Sequence, residues 1–274
     1  MSRPGHASIS GKNIMKNYRT WGKPPYTIAV VHGGPGAPGS VASVARELSK
    51  DMGILEPLQT KDSIDGQIEE LVDVLKNNAD IPAVLIGHSW GATLSYLTAA
   101  RFPNIVKKLI LIGMPPLSVQ DRPDLTSAWL SRLSEAERVD FLSLEKFVWD
   151  GKKGDKSASM GRLFRLITKG ESYALIKAKD EVLEYQLNVN VAIFRELTNQ
   201  PQYLDLTDLG KAIKCHVVAI HGNDDPRPAK IVREPLSKVI KGFKFMLLDE
   251  CGHTPWMEKH ARERFFEVLR KEIA

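Results

Sequence analysis

The stretch over residues 83–100 constrains the fold of this chain more than any other part of the sequence. It begins with the apolar run Ala-Val-Leu-Ile, continues through Gly-His-Ser-Trp-Gly, and ends in a segment rich in alanine and leucine. A short apolar run that meets a glycine is typical of a buried strand, whereas the segment that follows is typical of a helix. The sequence therefore predicts a strand, a tight turn centred on Ser89, and a helix, in that order.

Ser89 in this turn is predicted to be a nucleophile. A serine at a sharp strand-to-helix turn needs small neighbours, because its own backbone is strained and the strand and helix pass close on either side. Gly87 and Gly91 provide them. The helix is expected to direct free N–H groups and the positive end of its dipole towards the hydroxyl. The alternative is an ordinary glycine-rich turn, but the flanking strand and helix favour the nucleophile.

The composition argues against several classes of function. The 274 residues, 43% hydrophobic and 26% charged, suit one α/β domain with an insertion, or two small domains. The net charge is +5, and the densest basic cluster, Lys152, Lys153 and Lys156, lies in a Gly/Ser-rich loop, which indicates a solvated surface rather than a nucleic-acid site. Neither Cys215 nor Cys251 has metal-ligand spacing, so both are expected to be reduced and buried, with no metal site.

No stretch of the sequence is apolar over the length of a signal peptide or a membrane span. A cytoplasmic location without membrane contact is the resulting expectation. The expected partner is a small-molecule or short-peptide substrate, and no cofactor is predicted.

The order of the predicted elements indicates the fold class. Apolar runs rich in β-branched residues predict strands, and apolar residues at helical spacing predict helices. Besides the run that begins at residue 83, strands are predicted at residues 14–21, 26–31, 52–57, 108–113, 215–220 and 244–249. Helices are predicted at residues 40–50, 64–77, 90–102 and 257–273. This alternation predicts an α/β fold with a doubly wound, mostly parallel sheet.

The region between residues 117 and 209 interrupts this alternation. It contains no convincing strand but helical stretches at 128–149, 162–168 and 179–197, with a polar break at 151–161. The sequence therefore predicts a core at residues 1–116 and 210–274 and an inserted helical cap at 117–209. A lid over a catalytic edge can exclude water and shape the substrate pocket.

A second glycine-rich loop, His-Gly-Gly-Pro-Gly at residues 32–36, follows the predicted strand at 26–31. Glycines let a backbone turn back on itself and expose N–H groups. Acyl transfer needs such fixed donors for the oxygen that becomes negative in the tetrahedral intermediate. The loop is therefore predicted to supply an oxyanion donor, and the alternative is a plain strand-to-helix turn.

A serine nucleophile requires a base and an acid that orients it. His253 is predicted to be the base, because it follows the last strand in a Gly-His turn. Asp224 and Asp225 both follow the strand before it, and either fits as the acid. The remaining histidines are expected to be structural or exposed: His6, His32, His88, His216, His221 and His260.

Together, the motifs HGGPG, GHSWG, a Gly-x-x-Asp turn and a late Gly-His resemble those of the α/β-hydrolase superfamily. The pairing of HGGPG with G-x-S-W-G is similar to proline iminopeptidases and their relatives. The resemblance covers residues 26–111 and 215–274, and the insertion corresponds to the helical cap of that family. It implies a hydrolase fold and a cofactor-independent serine mechanism.

The resemblance also implies roles for individual residues. Ser89 corresponds to the nucleophile, His253 to the base, and Asp225 to the acid, since the family carries its carboxylate three residues after the glycine of this turn. The backbone N–H groups of Gly34 and Trp90 correspond to the oxyanion donors.

The sequence departs from the peptidase pattern in two places. Leu-Glu-Pro-Leu-Gln-Thr at residues 55–60 replaces the Asp-Gln-x-Gly-x-Gly-x-Ser segment of proline iminopeptidases. The cap glutamates Glu181, Glu184 and Glu196 are more simply interpreted as a solvated helix face than as an amine-binding site.

The predicted function is therefore a serine hydrolase that cleaves an ester, thioester or amide through an acyl-enzyme on Ser89. The alternatives are a proline iminopeptidase-type aminopeptidase and a non-catalytic ligand receptor on a hydrolase scaffold. Epoxide hydrolases and haloalkane dehalogenases of this fold use an aspartate nucleophile, so Ser89 argues against those activities.

Overall fold

The apolar runs of the sequence form one sheet. The computed structural model describes residues 16–151, 155–177 and 181–274, and within them seven strands lie in the order β1-β3-β2-β4-β5-β6-β7. Strand β1 is antiparallel to β3, and the other neighbours are parallel. The strands are β1 (Tyr18–Trp21), β2 (Ile28–Val31), β3 (Ile54–Pro57), β4 (Ala83–His88), β5 (Val106–Ile112), β6 (His216–Gly222) and β7 (Lys244–Leu248). The predicted mostly parallel sheet is confirmed.

Five helices alternate with the strands and cover both faces of this sheet: α1 (Ala42–Leu48), α2 (Ile64–Asn78), α3 (Trp90–Arg101), α8 (Lys230–Val239) and α9 (Arg262–Ile273). Successive residues of a strand point to opposite faces. Ala29 and Val31 accordingly pack in a cluster with α2 and α3, whereas Ile28 and Val30 pack in a second cluster with α1 and α9. The sheet is therefore doubly wound, as predicted.

Four more helices lie between β5 and β6, and we call them the inserted helices: α4 (Leu125–Ser131), α5 (Glu135–Val148), α6 (Ser157–Glu171) and α7 (Leu187–Asn199). Helices α5 and α6 share a small apolar cluster that contains Phe141, Met160 and Leu163. Helix α7 packs on the core beneath the insertion through Val189 and Ile193. The division at residues 116 and 209 stays a prediction. None of the helices in the described residues has the length and apolar composition of a membrane crossing.

Several predicted helix boundaries are wrong, and the last helix, for example, begins at Arg262 rather than at residue 257. The predicted helix at 128–149 is two helices, because Ser134 and Glu137 cap each other's backbone N–H groups and begin a new helix there. Helix α6 begins inside the predicted polar break, and α7 begins at Leu187 rather than at residue 179. Helix α8 is not predicted from the sequence, and it carries Pro235 in its interior.

Lys156 also differs from the prediction of a solvated basic loop. Its side chain is buried at the start of α6, where its ammonium donates to the carbonyl of Val148 at 3.1 Å and pairs with Asp150. A buried ammonium is tolerated when it is paired in this way. Lys152 and Lys153 lie outside the described residues.

Buried histidines make the stability of this fold dependent on pH. Burial lowers the pKa of His32, at the end of β2, to about 4, and it also lowers the pKa values of His88 and His221. An unfolded histidine has a pKa of about 6.5. Below that pH the unfolded chain binds more protons than the folded chain, so the free energy of unfolding falls as the pH falls from about 6.5 towards 4.

We expect His32 to contribute a loss of about 2 kcal/mol between pH 7.5 and pH 5, because that interval lies above its folded pKa and mostly below its unfolded one. Urea unfolding at both pH values measures this loss, and His32→Gln should reduce it. His216→Gln, at an exposed histidine, is the control and should keep the wild-type dependence. Equal pH dependences in the two variants would contradict the expectation.

Candidate active site

The turn between β4 and α3 holds Ser89 in a strained conformation. Its φ is 52° and its ψ is −120°, which costs about 1–3 kcal/mol for a residue with a side chain. A side chain at position 87 would collide with the carbonyl oxygen of Gly91, and one at position 91 would collide with that of Val31. The two glycines therefore allow the close approach of β2, β4 and α3 that the sequence predicts at this turn.

The N–H group of Trp90 lies beside this serine. Helix α3 begins at Trp90, and the first N–H groups of a helix have no acceptor within it. The indole of Trp90 is buried and donates from Nε1 to Oε1 of Gln67 at 2.8 Å. The side chain thus anchors the start of the helix, while the residue also lines the cavity in front of Ser89.

The glycine loop after β2 is held by helix α7. Gly34 has a φ of 120°, which favours glycine, and it lines the same cavity as Ser89. The amide of Asn190 donates from Nδ2 to the carbonyls of Gly34 at 3.3 Å and Pro35 at 2.8 Å. The N–H group of Gln186 donates to the carbonyl of Gly36 at 2.8 Å. These three bonds fix the loop, and no local signal in the sequence predicts them.

His253 and Asp225 meet at the ends of β7 and β6. Nδ1 of His253 lies 2.6 Å from Oδ2 of Asp225, and both side chains are buried. The neighbouring Asp224 makes its contacts through its backbone. Its N–H group donates to the carbonyl oxygen of Cys251 at 2.8 Å, and its carbonyl oxygen accepts from Arg132 at 2.9 Å. Of the two aspartates that the sequence leaves open, Asp225 therefore holds the imidazole.

A buried chain of charges surrounds this carboxylate. Nη1 of Arg227 lies 3.2 Å from Oδ1 of Asp225, and Nη2 lies 2.7 Å from Oε1 of Glu171 at the end of α6. Burial alone raises the pKa of Asp225, but His253 and Arg227 outweigh it and hold this pKa well below its usual range. Burial lowers the pKa of Arg227, but the neighbouring carboxylates of Glu171 and Asp225 outweigh this effect, so the pKa is raised. Asp225 and Arg227 are therefore both charged at neutral pH.

The peptide of Glu171 makes a second link to the site. Its carbonyl oxygen accepts from the N–H group of His253 at 3.0 Å. The inserted helix α6 thus contacts both the histidine and, through Arg227, the aspartate. The sequence gives only a weak signal for this arrangement, an arginine two residues after Asp225, and none for the partner on α6.

His88 packs behind His253. Their ring centroids are 4.9 Å apart, and Nε2 of His88 lies 3.1 Å from the carbonyl oxygen of His253. Burial lowers the pKa of His88 well below its usual value, so the ring is neutral and its Nε2–H donates to that carbonyl. His88 is therefore structural, as expected.

The glutamates of the insertion have other partners. Glu181 pairs with Arg46, with one contact of 3.0 Å, and Oε2 of Glu196 accepts from the N–H group of Ile64 at 2.8 Å at the start of α2. Glu184 is exposed. The expected solvated face is therefore wrong for Glu181 and Glu196, which connect the insertion to the core.

The site opens into a cavity of about 1150 Å³ between the sheet edge and the inserted helices. Ser89, His253, Gly34 and Trp90 all line it. Among the residues that the structure describes, no group of three or more His, Cys, Asp or Glu side chains is arranged to hold a metal ion.

Both cysteines are free, and only Cys251 is fully buried, whereas Cys215 is partly exposed. Burial raises the pKa of Cys215 to about 11 and also raises that of Cys251, so both remain thiols at neutral pH.

A match in sequence places this architecture among known proteins. Residues 3–268 match the alpha/beta hydrolase family. The chain belongs to the alpha/beta hydrolase family. The match confirms the predicted superfamily and the hydrolase class, and it does not extend to the proline iminopeptidase-like subtype.

This alpha/beta hydrolase is similar to several characterised proteins. Over 56 residues it is 38% identical to epoxide hydrolase 4 of Mus musculus, a match that covers 20% of this chain and 16% of that relative. A Bacillus megaterium epoxide hydrolase in complex with an inhibitor shares 17% identity with a TM-score of 0.66, over 93% of this chain and 95% of the other. A serine hydrolase involved in carbazole degradation shares 19% identity with a TM-score of 0.61, over 93% of each chain. Both structural likenesses show the fold alone.

We expect Arg227→Met to lower the free energy of unfolding by about 3–5 kcal/mol, because it leaves the buried carboxylates of Asp225 and Glu171 without their shared cation. Urea unfolding at pH 7 measures the loss. Arg264→Met is the matched control, since Arg264 pairs with Glu267 on the surface at 65% and 64% exposure. The control should have the same free energy of unfolding as the wild type. An unchanged free energy of unfolding in Arg227→Met would contradict the expected loss.

Proposed function

We propose that this alpha/beta hydrolase is a serine hydrolase that cleaves an ester or thioester, and less readily an amide, through an acyl-enzyme on Ser89. The observation that carries the proposal is the buried 2.6 Å contact between Nδ1 of His253 and Oδ2 of Asp225, in a site whose cavity is also lined by the strained Ser89. A charged aspartate on Nδ1 requires a proton there, which leaves Nε2 of the same ring able to accept one.

The first step forms the acyl-enzyme. Oγ of Ser89 attacks the substrate carbonyl carbon while Nε2 of His253 accepts the hydroxyl proton, and the carbonyl electron pair moves to its oxygen. The charge of Asp225 stabilises the imidazolium that results. His253 then protonates the leaving group as the bond between it and the carbonyl carbon breaks.

Fixed backbone donors support the negative intermediate. The N–H groups of Trp90 and Gly34 are the proposed donors to the oxyanion, and removal of one such donor typically lowers kcat by about 10²–10³. Trp90 is fixed by the hydrogen bond from its indole to Gln67, and the loop of Gly34 is fixed by the hydrogen bond from Asn190. In the second half of the reaction water takes the place of Ser89 as nucleophile, His253 accepts its proton, and the serine leaves as the free hydroxyl.

The choice of an acyl substrate over an epoxide follows from the chemistry of serine. Attack of Ser89 on an epoxide carbon would form an alkyl ether, which water does not cleave under mild conditions, so the residue would be consumed. Attack on a carbonyl forms an ester, which a water activated by His253 can hydrolyse. A serine at this turn therefore supports acyl transfer, although two of the similar proteins are named epoxide hydrolases.

The contacts of the insertion disfavour an aminopeptidase. Such an enzyme needs a carboxylate that is free to bind the ammonium group of its substrate. Glu181 already pairs with Arg46, and Glu196 accepts from the backbone of α2, which leaves Glu145 on α5 as the one carboxylate of the described cavity lining for that task. A proline p-nitroanilide that is cleaved faster than simple esters would favour the peptidase instead, and binding without turnover of any acyl substrate would favour a receptor.

We expect Ser89→Ala to lower kcat on p-nitrophenyl butyrate by at least about 10³-fold, because the acyl-enzyme then cannot form. A fluorophosphonate probe should label the wild type and not the variant. Ser95→Ala, on the same helix and outside the cavity lining, is the control and should keep both activity and labelling. Full activity in Ser89→Ala would overturn the mechanism.

The adjacent aspartates give a second test. Asp225→Asn should lower kcat by about 10⁴-fold, since an amide cannot hold the required tautomer of His253. Asp224→Asn should retain wild-type kinetics, because the contacts of Asp224 are made by its backbone. Steady-state kinetics on the same ester compares them, and equal losses in both variants would contradict the assignment.

A further inference from the structure

The cavity in front of Ser89 is much larger than a small acyl group requires. Its volume is about 1150 Å³, whereas sites for drug-sized ligands usually measure about 300–1,000 Å³. A single amino-acid residue or an acetyl group would leave most of this space to water. The size therefore points to a substrate with a long or bulky part.

The walls of the cavity show which chemistry that part has. Each inserted helix contributes apolar side chains to the lining of the cavity. They are Leu125 and Trp129 on α4, Phe141 on α5, Leu163, Phe164 and Ile167 on α6, and Val191, Phe194 and Leu197 on α7. Such walls offer few hydrogen-bond partners, so polar groups of a ligand would lose their water without compensation.

Three of the carboxylates that line the cavity are occupied by the protein itself. Glu171 pairs with Arg227, Glu181 pairs with Arg46, and Asp124 accepts from the N–H group of Ser127 at 3.1 Å. A ligand therefore gains little from these carboxylates. The remaining cavity carboxylate, Glu145 on α5, is the group that a positively charged substrate would have to use.

Helix α7 leaves apolar surface uncovered at the cavity. Val191 and Phe194 both line it, and each residue is 45% exposed. They lie on the same helix as Asn190, which holds the loop of Gly34. An apolar chain attached at Ser89 and running along α7 would cover this surface, and burial of apolar area is favourable.

We infer that the acyl group of the substrate is a medium or long apolar chain that lies in this cavity against α6 and α7. The inference rests on the proposed function, because the chain is held while its carbonyl carbon is bonded to Ser89. Each methylene that becomes buried in the transition state can raise kcat/KM by up to about fourfold.

A chain-length series tests the inference on the whole protein. We expect kcat/KM to rise at least tenfold from p-nitrophenyl acetate to p-nitrophenyl octanoate, with all esters kept below their aggregation concentrations. Acetate cleaved as well as octanoate would overturn the inference, and so would alanine p-nitroanilide cleaved faster than octanoate. If no ester in the series is hydrolysed, or if Ser89→Ala keeps the activity, the proposed function itself fails.

A matched pair of variants locates the chain. Val191→Trp fills space inside the cavity and should lower the octanoate-to-acetate ratio of kcat/KM at least tenfold. Val139→Trp, on α5 at 67% exposure and outside the lining, should leave the ratio unchanged. Equal ratios in the two variants would place the chain elsewhere and overturn the assignment to α7. Circular dichroism checks that both variants fold. If Val191→Trp does not fold, the chain-length series on the wild type tests the inference by itself.

Discussion

The buried carboxylate of Asp225 is the group on which the rest of the site depends. A charge with no exposure to water is tolerated only when opposite charges and hydrogen bonds surround it, and here His253 and Arg227 provide them. Arg227 is also buried and needs Glu171, which belongs to the inserted helix α6. The charge on Asp225 therefore depends on an element outside the sheet. In this protein the insertion lines the cavity and is also part of the electrostatics of the site.

The sequence predicts the parts of this structure that depend on neighbouring residues. The sheet follows from apolar runs whose alternate residues enter two separate cores, and the turn at Ser89 follows from the glycines on either side, whose positions have no room for a side chain. The choice between Asp224 and Asp225, in contrast, depends on a residue that is distant in the sequence. Both occupy one turn, and the residues alone do not separate them; the family resemblance implies Asp225, and in the structure the position of His253, 28 residues further along the chain, distinguishes them.

The contacts that the sequence does not predict join residues far apart in the chain. Glu181 and Arg46 are 135 residues apart, and Asn190 and Gly34 are 156 apart. Each side chain has an ordinary alternative on a solvated surface, so no local pattern distinguishes the two outcomes. The boundaries of the inserted helices are uncertain from sequence for a related reason. Their ends depend on side-chain caps, such as that between Ser134 and Glu137, more than on apolar spacing.

Helix α7 combines two tasks within one turn. Asn190 fixes the loop that carries Gly34, and Val191 and Phe194 form the cavity wall beside it. The positions of this helix are therefore not equally suitable for substitutions that change substrate preference. Replacements at position 194 alter the wall one turn away from the loop, whereas a backbone shift at 190 or 191 would also disturb the loop that carries Gly34, the proposed oxyanion donor. Selectivity and turnover can be separated most easily by keeping Asn190 and redesigning the helix beyond it.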